Sequence, residues 1–534
     1  MSSSQRTLPL QLPILPDRWS RVDHLTRLFY LESCRMNLKR VATFWVEEEA
    51  ELRGHSPISE AGAESWFLGP IPVARTLRYL EHGLQSGGRP LVPSVRLRID
   101  GRSICRVFPF GFHEGFMFWG YQGHVWSVGS DFQGQDYARA RDSKPGPALV
   151  LGASNVSSIA VTDVLSKLFC ENRPVVCLLP RRFAPLAPLL AEVFHPLVRD
   201  RHLHFVVGGP ETGRLLLQNP IFETVHLTGS PATYQTILSE NHIAGRSFTS
   251  ELGCVTPLIV VPGKWKSKEL VYHARHLVSL LTLNGGYNCV SPQVVLVSQK
   301  WPQKEAFWEA VRAELARHSR RDDHFPNSAE KRKEWRARYP KGEIYGPRTL
   351  VKVSPYQDEP IFSEEAFCGM LAWAELKSAS AEDFLTESVA FCNDKLWGDL
   401  SCAILVDSLT RRDSEVALAH SLTTLHYGTV GVNVFTGLGF FSSVTPWGSY
   451  RGGRADTGSG WVHNNFFFDR PEKSVLEGPF VPNTVPPWFK PFPRLYEVGR
   501  SWFHLDLEPS QAGLAQLAKA YGRALWKRRG RRFR

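Results

Sequence analysis

The chain has 534 residues, of which 43% are hydrophobic and 22% charged, enough apolar material for a large core divided among two or three domains. Its formal charge of +11 is not spread evenly: seven of the positive charges fall in the last twelve residues, Arg523 to Arg534, and the rest of the chain carries only +4. That distribution argues against a nucleic-acid-binding body and leaves the basic tail as a local feature.

The nine cysteines, at 34, 105, 170, 177, 254, 289, 368, 392 and 402, show no C-x-x-C spacing. A disulfide framework and a cysteine zinc site are therefore not expected, and free thiols suit a reducing compartment such as the cytoplasm. Prolines 9, 13 and 16 break the apolar start before it could form a secretory leader, and no apolar run is long enough for a membrane span. His202 and His204 would share one face of a strand, but no carboxylate or cysteine stands at ligand spacing, so no metal site is expected.

Residues 1–145 form an atypical N-terminal region, rich in aromatics and without a catalytic motif. Within it, Val92 to Arg98 and Ser103 to Phe110 alternate like antiparallel strands. From Pro147 the pattern changes to short apolar runs, Ala148–Ala153, Pro174–Leu179, His204–Val207 and Thr224–Leu227, separated by segments of helical spacing. Strands joined by helix-length crossovers predict a parallel α/β sheet, so residues 146–250 read as the nucleotide-binding domain.

A second α/β set occupies residues 251–435, with strands at 258–261, 294–297, 403–406 and 430–433 and helices near 268–283, 303–317 and 382–391. The charged stretch from Arg317 to Glu343 predicts an exposed helix–loop insertion with a solvated face. Residues 436–493 form a Gly/Pro/aromatic-rich segment that would close the site and pack on the core. Residues 494–534 read as a C-terminal helix, with Leu514, Leu517, Ala518, Tyr521 and Leu525 at helical spacing, ending in the basic tail.

The chemistry centres on Cys289, within Asn284-Gly-Gly-Tyr-Asn-Cys289, thirty-eight residues after Glu251-Leu252-Gly253. A thiol attacks as thiolate, and a thioester formed on it needs a base to activate water for release; Cys289 and Glu251 could fill these roles. A buried cysteine acting as a small hydrophobe is the structural alternative.

These motifs, taken with Leu227-Thr228-Gly229-Ser230, Glu364-Glu365-Ala366-Phe367, Val432-Asn433 and Pro446-Trp447-Gly448, resemble those of the aldehyde dehydrogenase superfamily in their order along the chain. The resemblance covers roughly residues 147 to 470. It implies an aldehyde-dehydrogenase-like α/β fold with a Rossmann-type cofactor domain and a second α/β domain carrying the nucleophile. It further implies NAD(P)-dependent oxidation of an aldehyde to a carboxylic acid, with NAD or NADP as cofactor and a homodimer or homotetramer as the assembly.

By the same resemblance Cys289 is the nucleophile, Glu251 the general base and Asn155 the oxyanion donor, with a helix N-cap as the other reading of Asn155. Thr228, Gly229 and Ser230 would approach the pyrophosphate, Gly253 and Glu365 the nicotinamide end, and Phe367 the ring itself. Glu365 as a surface carboxylate is the bland alternative. Several positions depart from the family's pattern. Leu178 replaces a lysine at the adenosine ribose, and Arg181 and Arg182 follow it, where an arginine could receive a 2′-phosphate or simply lie on the surface. Pro231 and Tyr234 alter the cofactor turn, and Tyr287 stands where glutamine is usual. Two other readings follow: an acyl-CoA reductase or acylating aldehyde dehydrogenase, and a catalytically inactive binding protein with this fold. The aromatics around Phe440, Phe441 and Trp447 suggest an apolar access tunnel, or plain core packing.

Overall fold

The computed structural model describes residues 12–89, 92, 94–98, 101–128, 134–143, 145–240, 243–319 and 324–526. The basic tail beyond Trp526 and the Arg320–Asp323 cluster lie outside the described residues.

The N-terminal region is more ordered than its punctuated sequence suggests. Helix α1 (His24–Leu52) starts at Asp23, whose carboxylate accepts the Thr26 N–H, and buries Tyr30, Leu31, Cys34, Leu38, Val41, Trp45 and Val46 at intervals of one helical turn. Helix α2 (Pro70–Gln85) packs against it after a Pro start. The alternating stretches form β1 (Ser94–Leu97) and β2 (Ser103–Phe108), which pair antiparallel as expected and are joined by β3 (Gln122–Ser127).

The first α/β half is built from β4 (Ala148–Leu151), α3 (Ser157–Leu165), β5 (Val175–Pro180), β6 (Leu203–Gly208), β7 (Thr224–Gly229), α4 (Pro231–Ser239) and β8 (Ser247–Leu252). Its parallel order is β8-β7-β4-β5-β6. The chain winds to one side of β4 through β5 and β6, then to the other through β7 and β8. The crevice above the carboxyl ends of β4 and β7 is therefore the switch point at which open α/β sheets bind ligands. Strand β8 carries Glu251 inside this first sheet, across the 250/251 boundary drawn from sequence.

The second half contributes β9 (Pro257–Val260), α5 (Ser267–Thr282), β10 (Val294–Ser298), α6 (Ser328–Arg338), β11 (Glu343–Tyr345), β12 (Arg348–Val353), β13 (Met370–Leu376), β14 (Ser401–Leu405), α7 (Glu415–Thr424) and β15 (Thr429–Val432). After three two-residue strands, β16 (Trp447–Gly448), β17 (Gly458–Ser459) and β18 (Trp461–Val462), comes β19 (Pro471–Glu477). The chain closes with α8 (Leu495–Leu507) and α9 (Gln511–Trp526), two helices where the sequence suggested one. An eleven-stranded sheet runs β1-β2-β3-β19-β15-β14-β9-β10-β13-β12-β11, parallel from β19 to β12.

The 317–343 stretch needs correction. Helix α6 is not merely a solvated insertion: Trp335 is 1% exposed, Lys331 Nζ donates to the Glu365 carbonyl at 3.3 Å, and Arg338 pairs with Glu364 at 2.8 Å. One apolar ring on an otherwise charged helix suffices to dock it, because the charged side chains can keep their heads in water.

Candidate active site

Helix α5 ends at Thr282, and three consecutive left-handed residues then turn the chain: Asn284, Gly285 and Gly286 have φ of 51°, 69° and 92°. A Cβ on Gly286 would lie 2.7 Å from the Leu281 carbonyl oxygen, so glycine is required there by both conformation and space. Asn284 holds the turn, donating through Nδ2 to the carbonyls of Asn155 (3.1 Å) and Tyr287 (3.3 Å) while its N–H donates to Glu64 at 2.8 Å. Thr256 Oγ1 donates to the Cys289 carbonyl at 3.1 Å. The loop is thus fastened on both sides of the thiol.

Cys289 Sγ lies 3.6 Å from Glu251 Oε1. Burial pushes the Glu251 carboxyl up to about 8, the Asp163 and Glu365 carboxylates push in the same direction, and hydrogen bonds from Trp447 and Cys289 pull the other way. Burial also raises the Cys289 thiol well above its ordinary range, with Glu251 and Glu365 adding to the effect. At neutral pH the resting pair is therefore a thiol beside a largely protonated acid.

Asn155 follows β4 and lines the same cavity as Cys289 and Glu251. It is not the cap of α3: the residue at that position is Val156, with no side-chain cap bond. Its Nδ2 donates to the Tyr287 carbonyl at 2.9 Å, which uses one of two amide protons and leaves the second for an oxygen in the cavity.

The cavity has a volume of about 120 Å³ and is walled mainly by rings, among them Phe67, Phe440, Phe441, Trp447, Trp488 and Trp502. Glu64 and Lys490 also line it, paired at 2.8 Å. Sequence reasoning found none of Glu64, Phe67, Lys490 or Trp502. They come from regions without motifs, and only the folded chain gathers them around the thiol.

At the crevice, Ser230 caps α4 by accepting the Thr233 N–H at 3.2 Å, and Gly229 ends β7 beside it. Thr228 turns away, donating to Asp163 at 2.7 Å below the sheet. Glu365 packs so closely on Gly253 that a Cβ there would lie 2.0 Å from its carboxylate; its side chain accepts the Cys254 N–H, and burial raises it to about 8. Arg181, at the end of β5, is exposed and paired with Glu211 at 3.2 Å.

The departures in sequence have packing reasons. Tyr287 is 1% exposed and stacks on Phe325 at 5.0 Å, with Phe367 5.7 Å away and the Arg182 guanidinium 5.2 Å from the Phe325 ring. Tyr234 stacks on Phe248 of β8 at 5.3 Å, filling space between α4 and the sheet. Among the described residues no cluster of three or more His, Cys, Asp or Glu side chains could hold a metal.

A family model described as "Aldehyde dehydrogenase family" matches residues 157–330, which include both Glu251 and Cys289. The chain is 34% identical over 138 residues to 4-trimethylaminobutyraldehyde dehydrogenase of Oryzias latipes, a match spanning 25% of this chain and 27% of that relative. Lactaldehyde dehydrogenase from Escherichia coli superimposes with a TM-score of 0.59 at 16% identity, covering 86% of this chain and 87% of the other. Residues 157–330 are thus similar in sequence to the aldehyde dehydrogenase family, and the chain shares the fold of aldehyde dehydrogenases. An aldehyde dehydrogenase of Mycobacterium tuberculosis, solved in complex with NAD⁺, aligns with a TM-score of 0.58 and 16% identity over 88% of this chain and 87% of that one. In this aldehyde-dehydrogenase-like fold the sequence match is confined to the stretch bearing the thiol and the base. The agreement in fold extends far beyond it.

Proposed function

We propose that this protein oxidises an aldehyde to the carboxylic acid through a covalent adduct on Cys289, with NAD or NADP as oxidant. The observation that carries the reading is the 3.6 Å approach of Cys289 Sγ to Glu251 Oε1 in a cavity that Asn155 also lines. Ionised Glu251 removes the thiol proton, and the thiolate adds to the aldehyde carbon. The resulting oxyanion receives the free Asn155 N–H and the Cys289 backbone N–H. A nicotinamide nucleotide held by Gly229, Ser230 and Glu365 would supply the hydride acceptor for oxidation of the adduct to the acyl level. Once Glu251 has released the thiol's proton to solvent, it takes a proton from water as hydroxide adds to the acyl carbon; the C–S bond then breaks, the acid leaves, and Glu251 returns the proton to the departing Cys289 thiolate.

The residues present suit such a cofactor. Gly229 and the α4 start adjoin the switch-point crevice, and the Gly253–Glu365 contact sets a carboxylate within electrostatic reach of Cys289, where a nicotinamide ribose would need an acceptor. Phe367, left-handed at φ 46° and close to Tyr287, would flank the ring. Arg181 could exchange Glu211 for a 2′-phosphate, which is the basis for NADP use. Nine free cysteines support a reducing, cytoplasmic setting, and no helix among the described residues is long and apolar enough to cross a membrane. The exposed edge strand β1 is where a homodimer or homotetramer could extend the sheet.

The test is reduction of NAD⁺ or NADP⁺ by wild type and Cys289→Ala across a panel weighted to apolar and aromatic aldehydes, which suit the ring-walled cavity. We expect signal in wild type alone, with a rate indifferent to coenzyme A. Acceleration by coenzyme A, with a thioester product, would favour an acylating enzyme. Equal signal from both proteins would remove Cys289 from the mechanism.

A further inference from the structure

Between β2 and β3 the chain makes a short helix, Gly111–Met117, followed by a turn through Trp119 and Gly120. Its two faces differ in kind. Toward the core, Glu114 accepts from Arg78 at 3.2 Å and from the Phe110 N–H at 2.8 Å, while the Phe118 ring meets Phe108 at 4.7 Å and Trp502 at 5.6 Å. Outward, Phe112, Phe116 and Trp119 follow one another at helical spacing and are 74%, 60% and 78% exposed. A single exposed ring needs no explanation, but three of the exposed aromatic rings among the described residues fall on this one ridge.

The surroundings of the ridge are apolar and basic. A Cβ on Gly120 would touch Pro479 at 3.7 Å, Val481 two residues on is 41% exposed, and Phe480 between them packs its ring 5.0 Å from Trp265. Lys264 and Lys266 bracket that tryptophan and are exposed, as is Lys268; the acidic neighbour Glu269 pairs with Lys266 at 3.9 Å. Helix α9 reaches the same place from another side, with Tyr521 6.3 Å from the Trp502 ring that Phe118 touches. Five residues later, about 7.5 Å along a helix, stands Trp526, 78% exposed. The sequence after it holds Lys527, Arg528, Arg529, Arg531, Arg532 and Arg534 and no acidic residue.

We propose that this face docks on an anionic lipid surface, with the rings of Phe112, Phe116 and Trp119 entering the boundary between headgroups and acyl chains. Lys264, Lys266 and the basic residues after Trp526 would be drawn to the lipid phosphates. Aromatic rings are favoured at that depth, and stable attachment takes two signals, an apolar insertion and a polybasic patch, both of which are present. An apolar ridge alone would suit a second copy of the chain equally well. The charge decides between them: two copies meeting here would bring their basic residues together, whereas a leaflet containing phosphatidylserine attracts every Lys and Arg near it. The ridge also adjoins the cavity, since Phe118 beneath it touches Trp502, which lines that cavity.

The experiment mixes the full chain, without aldehyde or nucleotide, with vesicles of phosphatidylcholine alone or of phosphatidylcholine with phosphatidylserine, and measures the bound fraction by sedimentation at low and high salt. We expect binding to the phosphatidylserine vesicles that weakens as salt rises, and binding to phosphatidylcholine alone that is weaker by about tenfold or more. Replacing Phe112, Phe116 and Trp119 together by serine should lower the partition coefficient by about tenfold or more, as should serine at the six basic positions after Trp526, while Trp119→Phe should keep most of it. Melting temperatures report whether each variant folds; should the triple variant not fold, Trp119→Ser, with a loss of about threefold, takes its place. Absence of binding to the phosphatidylserine vesicles overturns the proposal. So does binding that the ridge variant leaves unchanged, which would assign it to the tail alone. If vesicles stay unbound and the ridge variant instead lowers the sedimented mass of the free protein, the face is a contact between copies and the proposal also fails. Because no turnover is involved, a chain that binds these vesicles but reduces no nicotinamide nucleotide would sink the dehydrogenase reading and leave this one standing.

Discussion

Glu251 illustrates how strongly a single position depends on what surrounds it. Exposed, it would ionise near 4.5; buried beside Asp163, Glu365 and the Cys289 thiol it holds its proton to about 8. A base is active when deprotonated, so turnover should rise with pH through about 8 and flatten above it. Initial rates across pH 6 to 10 check this, and a limb near 4.5 would contradict the burial argument. Glu251→Gln should lower turnover by about 100-fold or more, the usual scale for removing a general base. If Glu251 served only to pack the site, the glutamine variant, close in shape, would retain most activity.

Among elements, the 471–477 strand shows how a charge can be buried at a profit. Lys473 of β19 is fully buried, yet its ammonium donates to the carbonyls of Leu422 (3.1 Å), Thr423 (3.2 Å) and Leu425 (2.5 Å), the last turn of α7. A helix C-terminus leaves carbonyls without partners and carries partial negative charge, so a lysine there meets both needs. The same ammonium lies 4.9 Å from the centre of the Tyr450 ring and 5.7 Å from that of Trp126. Lys473→Met would keep the stem and strand the carbonyls, at a cost of about 2 kcal/mol, seen as a lower urea midpoint with an unchanged slope.

Such elements also show what sequence could reveal. Parallel strands announced themselves as short apolar runs because both faces are buried, and the thiol and base stood in recognisable local motifs. A polar stripe across β7 and β8 was written as alternation, His226 and Thr228 on one strand and Thr249 and Glu251 on the next, but alternation in a buried strand says nothing about what covers it. Lys490 and Trp502 were out of reach for another reason. They act in the site through tertiary proximity alone, with more than two hundred residues between Cys289 and Trp502.

At the scale of the whole molecule, the cavity is a meeting place of distant segments. Phe67 comes from the N-terminal region, Cys289 from the middle, Trp447 and Lys490 from the late segment and Trp502 from α8. Removing residues 471–534 should therefore do more than shorten the chain: it takes away β19, α8 and α9 together. The truncated protein is expected to lose cooperative unfolding and to bind a hydrophobic dye, measured by thermal melts and fluorescence.

Strand β19 has one more effect, on the order of events during synthesis. It lies between β3 and β15, antiparallel to the first and parallel to the second, and among the described residues it links the early strands of the eleven-stranded sheet to the central ones. A ribosome delivers β1 to β3 more than three hundred residues before the strand that joins them to the rest. Until then β3 presents an open edge to any passing chain, and the newborn polypeptide must either shield that edge or be shielded by a chaperone.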